Sequence, residues 1–208
     1  MFERFDAAIP PGRPGSARLQ AGIVPHAGWI FSGAVAHAVV RELAASRPDA
    51  ETVLLLGGHL GPGSDISILV RGDFWTPLGP IPTDEELAAE LAARLGDRAR
   101  QQQPGRHTPD NTTELQAPLI KHAWPRARMI VVGAPPRRET FELVDAVKQL
   151  ADARGRAVVA IGSTDLTHYG PNYGWAPRGH GPEAEAWVRE ENDPRYIERV
   201  CELDAEGS

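Results

Sequence analysis

The sequence predicts a single α/β domain with a mostly parallel central sheet and helices on both faces. Three observations carry that expectation. Strand-like runs alternate with helix-like periods along most of the chain. Residues 52–56 (TVLLL) form an unbroken apolar run, the pattern of a strand covered on both sides. The chain has 208 residues, 41% of them apolar, which suffices for a full core without disulfides or a structural metal.

The elements follow in order. Residues 1–18 read as a loop, rich in Pro and Gly around Pro10 and Gly15. Residues 19–24 read as a short buried strand ended by Pro25. Val35, Val39, Val40 and Leu43 share a helical period, so 34–45 reads as a helix capped near Ser32 and Gly33. After the strand at 52–56, stopped by Gly57 and Gly58, residues 66–70 read as another. The acid-started, Ala/Leu-rich stretch 84–95 is helical, and 96–110 reads as a polar loop. Residues 112–123 are helical, with Pro118 either in a first turn or at a kink. A strand at 128–132 precedes a helix at 138–153 with Phe141, Val144, Val147 and Leu150 on one stripe, stopped at Gly155. A strand at 157–161 leads into a long loop through Gly181, then helices at 183–189 and 194–203, the second with Pro194 at its start.

Composition removes several classes of function. Lys plus Arg is 22 and Asp plus Glu is 28, so the formal charge is 22 − 28 = −6, which argues against nucleic acid as a partner. One cysteine excludes an internal disulfide framework and a Cys-rich zinc site. Nothing approaches the roughly 20 apolar residues that span a bilayer, and the first residues lack the pattern of a secretory signal. The expectation is a cytoplasmic protein without a membrane partner. No GxGxxG or GxxxxGK[ST] motif points to a nucleotide.

Ligands of open α/β sheets gather beyond the carboxyl ends of the strands. Three such ends carry histidines: Pro25-His26-Ala27-Gly28-Trp29, Gly57-Gly58-His59, and Gly162-Ser163-Thr164-Asp165-Leu166-Thr167-His168-Tyr169. Parallel strands would gather the three imidazoles at one sheet edge. His26, His59 and His168 are therefore candidate metal ligands, since neutral imidazole with one further donor suits iron, copper or zinc. Asp165 and His168 could instead pair as a general base and its orienting carboxylate. Each histidine could also be an ordinary loop hydrogen-bonder. His37 reads as a helix-face residue, and His107, His122 and His180 as surface groups. Cys201 reads as a small packed residue rather than a nucleophile.

At these motifs the sequence resembles the Memo family, whose bacterial members are named AmmeMemoRadiSam system protein B. The matching segments are Pro25-His26-Ala27-Gly28-Trp29-Ile30-Phe31-Ser32-Gly33, Gly57-Gly58-His59, Thr76-Pro77-Leu78-Gly79 with Asp84, Thr113-Glu114-Leu115-Gln116-Ala117-Pro118, and Gly162 through Gly170. The resemblance implies a fold like that of class III extradiol dioxygenases, non-haem iron enzymes. It implies His26 and His59 as metal ligands, iron foremost with copper or zinc as alternatives. His168 becomes a further ligand or an acid/base group supported by Asp165 or Tyr169. Trp29, Asn111, Glu114 and Tyr169 become substrate contacts. The implied function is metal binding with dioxygenase-type oxidoreductase chemistry on a small substrate. The alternative is a non-catalytic module of the same fold that binds a peptide or small ligand. Assembly into a homo-oligomer is left open.

The chain departs from the family pattern twice. Asn111 stands where the family usually has histidine, and Asn is a poor proton carrier and metal ligand. Cys201 does not match the cysteine of the family's C-terminal Cys-Gly segment. The expected organisation is an N-terminal loop, 1–18, and a Memo-like α/β domain, 19–208, without that segment.

Overall fold

A computed structural model describes residues 1–12, 18–103 and 110–204. They form two compact units, Met1–Thr164 and Asp165–Ser208. The first holds an α/β fold with a mostly parallel six-stranded sheet flanked by helices, as the sequence predicts.

The strands of that sheet are β1 (Ala21–Val24), β2 (Thr52–Gly57), β3 (Ile66–Leu69), β6 (Ala99–Gln102), β7 (Arg128–Gly133) and β8 (Val158–Ser163); β4 (Asp73–Thr76) and β5 (Gly79–Pro82) form a separate hairpin. The order in the sheet is β1-β8-β2-β7-β3-β6. β1, β8, β2 and β7 run parallel; β3 is antiparallel to β7 and parallel to β6. The run read at 52–56 is thus a central strand between two parallel neighbours.

Alternate side chains of the central strands feed two cores. Val53 and Leu55 of β2, with Met129 and Val131 of β7, pack with α2 (Trp29–Ser46) and α5 (Ala117–Ala123). Leu54, Ile130 and Val132 pack with α3 (Glu85–Leu95) and α6 (Arg138–Ala153) on the opposite face. This period-2 alternation on a two-sided sheet requires apolar residues at every position, which is what the sequence shows.

Several boundaries differ from the sequence reading. Residues 2–8 are not loop but helix α1 (Phe2–Ala8), packed on α2. Phe2 stacks on His122 with ring centroids 3.9 Å apart, and Asp6 Oδ1 lies 3.0 Å from His37 Nε2 and 2.6 Å from Arg41. His37 lies within α2, as the sequence predicts, and is buried and tied to Asp6. α2 begins at Trp29 rather than at residue 34; Gly28 is its N-cap, and Ser32 donates to the Ala27 carbonyl at 2.8 Å. Exposed Ile30 and Phe31 in the first turn hide the amphipathic period there.

The segment read as a polar loop at 96–110 contains a 3₁₀ turn and β6, a polar edge strand with no hydrophobic signature. Residues 104–109, including His107, lie outside the described residues. The β4–β5 hairpin turns at the 76–79 signal. Pro118 sits in the first turn of α5, after the short helix α4 (Asn111–Glu114), so the segment is two helices rather than one kinked one.

The second unit has a 3₁₀ turn inside the stretch read as a long loop, then α7 (Pro182–Trp187), a π-helical turn, and α8 (Asp193–Cys201). Pro194 lacks an N–H for the α-helical ladder, which accounts for the widened turn before it. No described helix is long and apolar enough to cross a membrane.

Candidate functional site

The parallel strands deliver the first two histidines to one sheet edge. β1 and β2 flank β8, and all three end at the same side. His26 follows β1 by two residues and His59 follows β2 by two. Their ring centroids lie 5.2 Å apart at an interplanar angle of 80°. His26 is buried, whereas the His59 side chain is 54% exposed, so the pair has a protected and an accessible member.

Each ring is oriented through Nδ1. His26 Nδ1 lies 3.2 Å from Ser163 Oγ at the end of β8. His59 Nδ1 lies 3.3 Å from Asp110 Oδ1, and the His59 backbone N–H donates to Asp110 Oδ2 at 3.2 Å. A carboxylate is acceptor-only, so the ring nitrogen facing it is assigned the proton.

Asp110 is held in turn. It caps α4, accepting from the Thr112 backbone N–H at 2.9 Å. Burial works to raise its pKa, but the bonds from the Thr112 hydroxyl and N–H, with the His59 N–H and charge, outweigh it and lower the value to about 2. Thr112 Oγ1 also accepts from the Gly58 N–H at 2.6 Å. Gly57 is required at this crossing, because a Cβ there would meet Thr112 Oγ1 at 2.5 Å.

The next residues secure the His26 loop. Asn111 Nδ2 donates to the His26 carbonyl at 3.0 Å, and Gln116 Nε2 donates to the Pro25 carbonyl at 2.9 Å. Trp29 Nε1 donates to the Leu115 carbonyl at 3.0 Å. Asn111 and Trp29, expected as substrate contacts, thus bond main chain at the edge of the site, and Glu114 is exposed.

The remaining candidates belong to the second unit. His168 Nε2 lies 3.4 Å from Asp165 Oδ2, and its ring stacks on Tyr173 at 4.7 Å. Tyr169 donates to the Gly179 carbonyl at 3.0 Å and accepts from the Arg178 N–H at 2.9 Å, so its hydroxyl orders the loop that follows. Tyr169 and His180 line an open, largely apolar cleft of about 540 Å³ within this unit. Cys201, expected to be packed, is exposed at the end of α8, because neither face of that helix end is buried.

Among the described residues no group of three or more His, Cys, Asp and Glu side chains is placed to hold a metal. In the first unit the two expected imidazoles, His26 and His59, are brought together as a pair. That pair is legible in the sequence from its place after the strands. Asp110, Thr112, Ser163 and Gln116 were missed, and they carry no local signal of their role.

Comparisons with known proteins agree with the motifs. A family model described as Memo-like protein matches residues 3–208. A MEMO1 family protein of Pyrococcus abyssi is 34% identical over 100% of this chain and 72% of its own length. One of Thermococcus onnurineus is 35% identical with the same coverage. One of Methanopyrus kandleri is 30% identical over 96% of this chain and 66% of its own length.

Proposed function

The chain belongs to the Memo family, and we propose that it is a metal-binding member whose protein ligands are His26 and His59. The observation that carries this reading is the pair of rings at 5.2 Å, each fixed through Nδ1 by its own partner. That is the pattern of metal-binding histidines, whose second nitrogen is held by a hydroxyl, carbonyl or carboxylate while the first ligates. The donor chemistry fits: two imidazoles suit iron, copper or zinc, with iron the favoured occupant. Two protein donors leave coordination positions for water and for a small substrate.

When bound, the metal would supply Lewis-acid or redox chemistry, and we propose an oxidoreductase reaction of dioxygenase type on a small oxidisable molecule. The chain's own residues do the rest. Ser163 and Asp110 orient the two rings, and Asn111 and Gln116 hold the His26 loop against its neighbours. The Asp165–His168 pair is suited to hold and move a proton. We place the protein in the cytoplasm, consistent with its single exposed cysteine.

Metal analysis tests the reading. Protein purified without chelators is expected to carry or to titrate with iron, copper or zinc. His26→Ala and His59→Ala are each expected to weaken binding by about tenfold or more. Absence of any metal, with both variants indistinguishable from the parent, would sink it. The second reading is a non-catalytic module that binds a small or peptide ligand. It is favoured by Ile30 and Phe31, 88% and 83% exposed in the first turn after the His26 loop. Oxygen uptake with an added catechol, lost in His168→Ala, would exclude it.

A further inference from the structure

One seven-residue segment, Asp110 through Gln116, reaches both histidine loops. Its first side chain meets His59 and its second bonds the carbonyl of His26. Its third bonds the Gly58 N–H just before His59, and its last bonds the Pro25 carbonyl just before His26. Neighbouring residues on one short stretch thus hold neighbouring imidazoles from strands far apart in sequence.

We infer that Asp110 is a positioning residue that fixes the proton of His59 on Nδ1 and so leaves the lone pair on Nε2, on a ring whose centroid lies 5.2 Å from that of His26. The geometry is specific. One carboxylate touches both the ring and the backbone N–H of the same residue, at 3.3 and 3.2 Å, so the imidazole cannot turn over without breaking the ring contact. The carboxylate is itself held by the Thr112 N–H at 2.9 Å and does not rely on His59 for its place. A carboxylate accepts and does not donate, so the tautomer follows from contact alone. Asn111 acts on the other loop, through main chain, and has no part in the His59 tautomer. The metal consequence rests on the ligand-pair reading above; the tautomer itself does not.

Long-range proton–nitrogen spectra of the ¹⁵N-labelled full chain, recorded on the alkaline side of the ordinary histidine pKa of about 6.5, read the tautomer directly. The wild-type His59 signal is expected to show the proton on Nδ1. Asp110→Ala is expected to move it to Nε2, Asp110→Glu to restore Nδ1, and Asn111→Ala to leave it unchanged. A proton on Nε2 in the wild-type protein, or an unchanged signal in Asp110→Ala, overturns the inference. The wild-type spectrum decides even if a variant does not fold. In a second arm, Zn²⁺ titration is expected to show affinity reduced about 10- to 100-fold in Asp110→Ala, with partial recovery in Asp110→Glu. Unchanged affinity alongside a changed tautomer removes the positioning role. If wild-type protein takes up no Zn²⁺, the ligand-pair reading falls, while the tautomer result still decides for or against Asp110.

Discussion

At the carboxylate of Asp110, acid has a defined effect on the fold. Its folded pKa of about 2 lies below the ordinary carboxylate value of about 3.9. A group depressed on folding contributes stability that is fully present above the unfolded value and is lost as pH falls through the folded one. The window is therefore from about pH 4 down to about pH 2, and the contribution, reduced by solvent screening, is about 1–2 kcal/mol. Urea midpoints measured across that range are expected to fall less steeply in Asp110→Asn than in the parent protein. Parallel curves would show that the carboxylate does not supply the difference. The same residue marks the limit of reading a site from sequence. His26 and His59 were legible because each stands two residues past the carboxyl end of a parallel strand, the buried β2 for His59 and the largely exposed edge strand β1 for His26. Ser163 is 137 residues from His26, and Asp110 is 51 from His59, so only the folded chain brings each to its ring.

Among the elements, α6 was legible to its end residues. Its buried face was not: Leu143, Ala146, Val147 and Ala151 are buried, whereas Phe141 of the expected stripe is 44% exposed. At its end Gly155, at φ +61°, lets the Gly155 and Arg156 N–H groups close onto Asp152 and Ala151. β6 was not legible, because its Ala-Arg-Gln-Gln sequence has no apolar run; it pairs with β3 through backbone and one side-chain bond, Gln102 Nε2 donating to Ser67 Oγ at 3.0 Å. The β4–β5 hairpin showed only its turn, since Pro80 and Pro82 interrupt any strand-like run. The start of α3 was legible from Asp84 but its weight was not. Asp84 is fully buried, caps Leu87, accepts from the Thr52 hydroxyl at 2.6 Å, and faces Arg128 and Arg156 at 3.9 and 3.7 Å. Asp84→Ala removes a cap worth about 1 kcal/mol and leaves the buried Thr52 hydroxyl unpaired at about 1–3 kcal/mol. The expected loss is about 2–4 kcal/mol by urea denaturation. Asp84→Asn keeps the cap through its carbonyl oxygen and can donate from its NH2 to the Thr52 hydroxyl oxygen in place of the bond it accepted, so it is expected to lose clearly less; equal losses would shift the weight to the two arginine pairs.

In the first unit the six-stranded sheet separates two cores. The alternation of strands and helices made a mostly parallel sheet legible, whereas the reversal of β3 and β6 follows from long-range pairing that no local run encodes. The separation of the cores has an energetic consequence. Leu43 of α2 belongs to the core under α2 and α5, while Leu91 of α3 and Leu143 of α6 share the core on the other face. All three side chains are at most 1% exposed. Truncating any of them to alanine is expected to cost about 2–5 kcal/mol, the range for a buried leucine whose surroundings relax only in part. Leu43 and Leu91 have the sheet between them and no common neighbour within one core, so their double variant is expected to lose the sum of the single losses to within about 0.5 kcal/mol. Leu91 and Leu143 lie on helices that pack against each other, and relaxation around one cavity changes the cost of the second. Their double variant is expected to depart from the sum by about 0.5 kcal/mol or more. Urea denaturation of the three single and two double variants gives both numbers. Strong coupling between Leu43 and Leu91, as large as that within one core, would mean that the sheet transmits packing strain between its faces rather than insulating them.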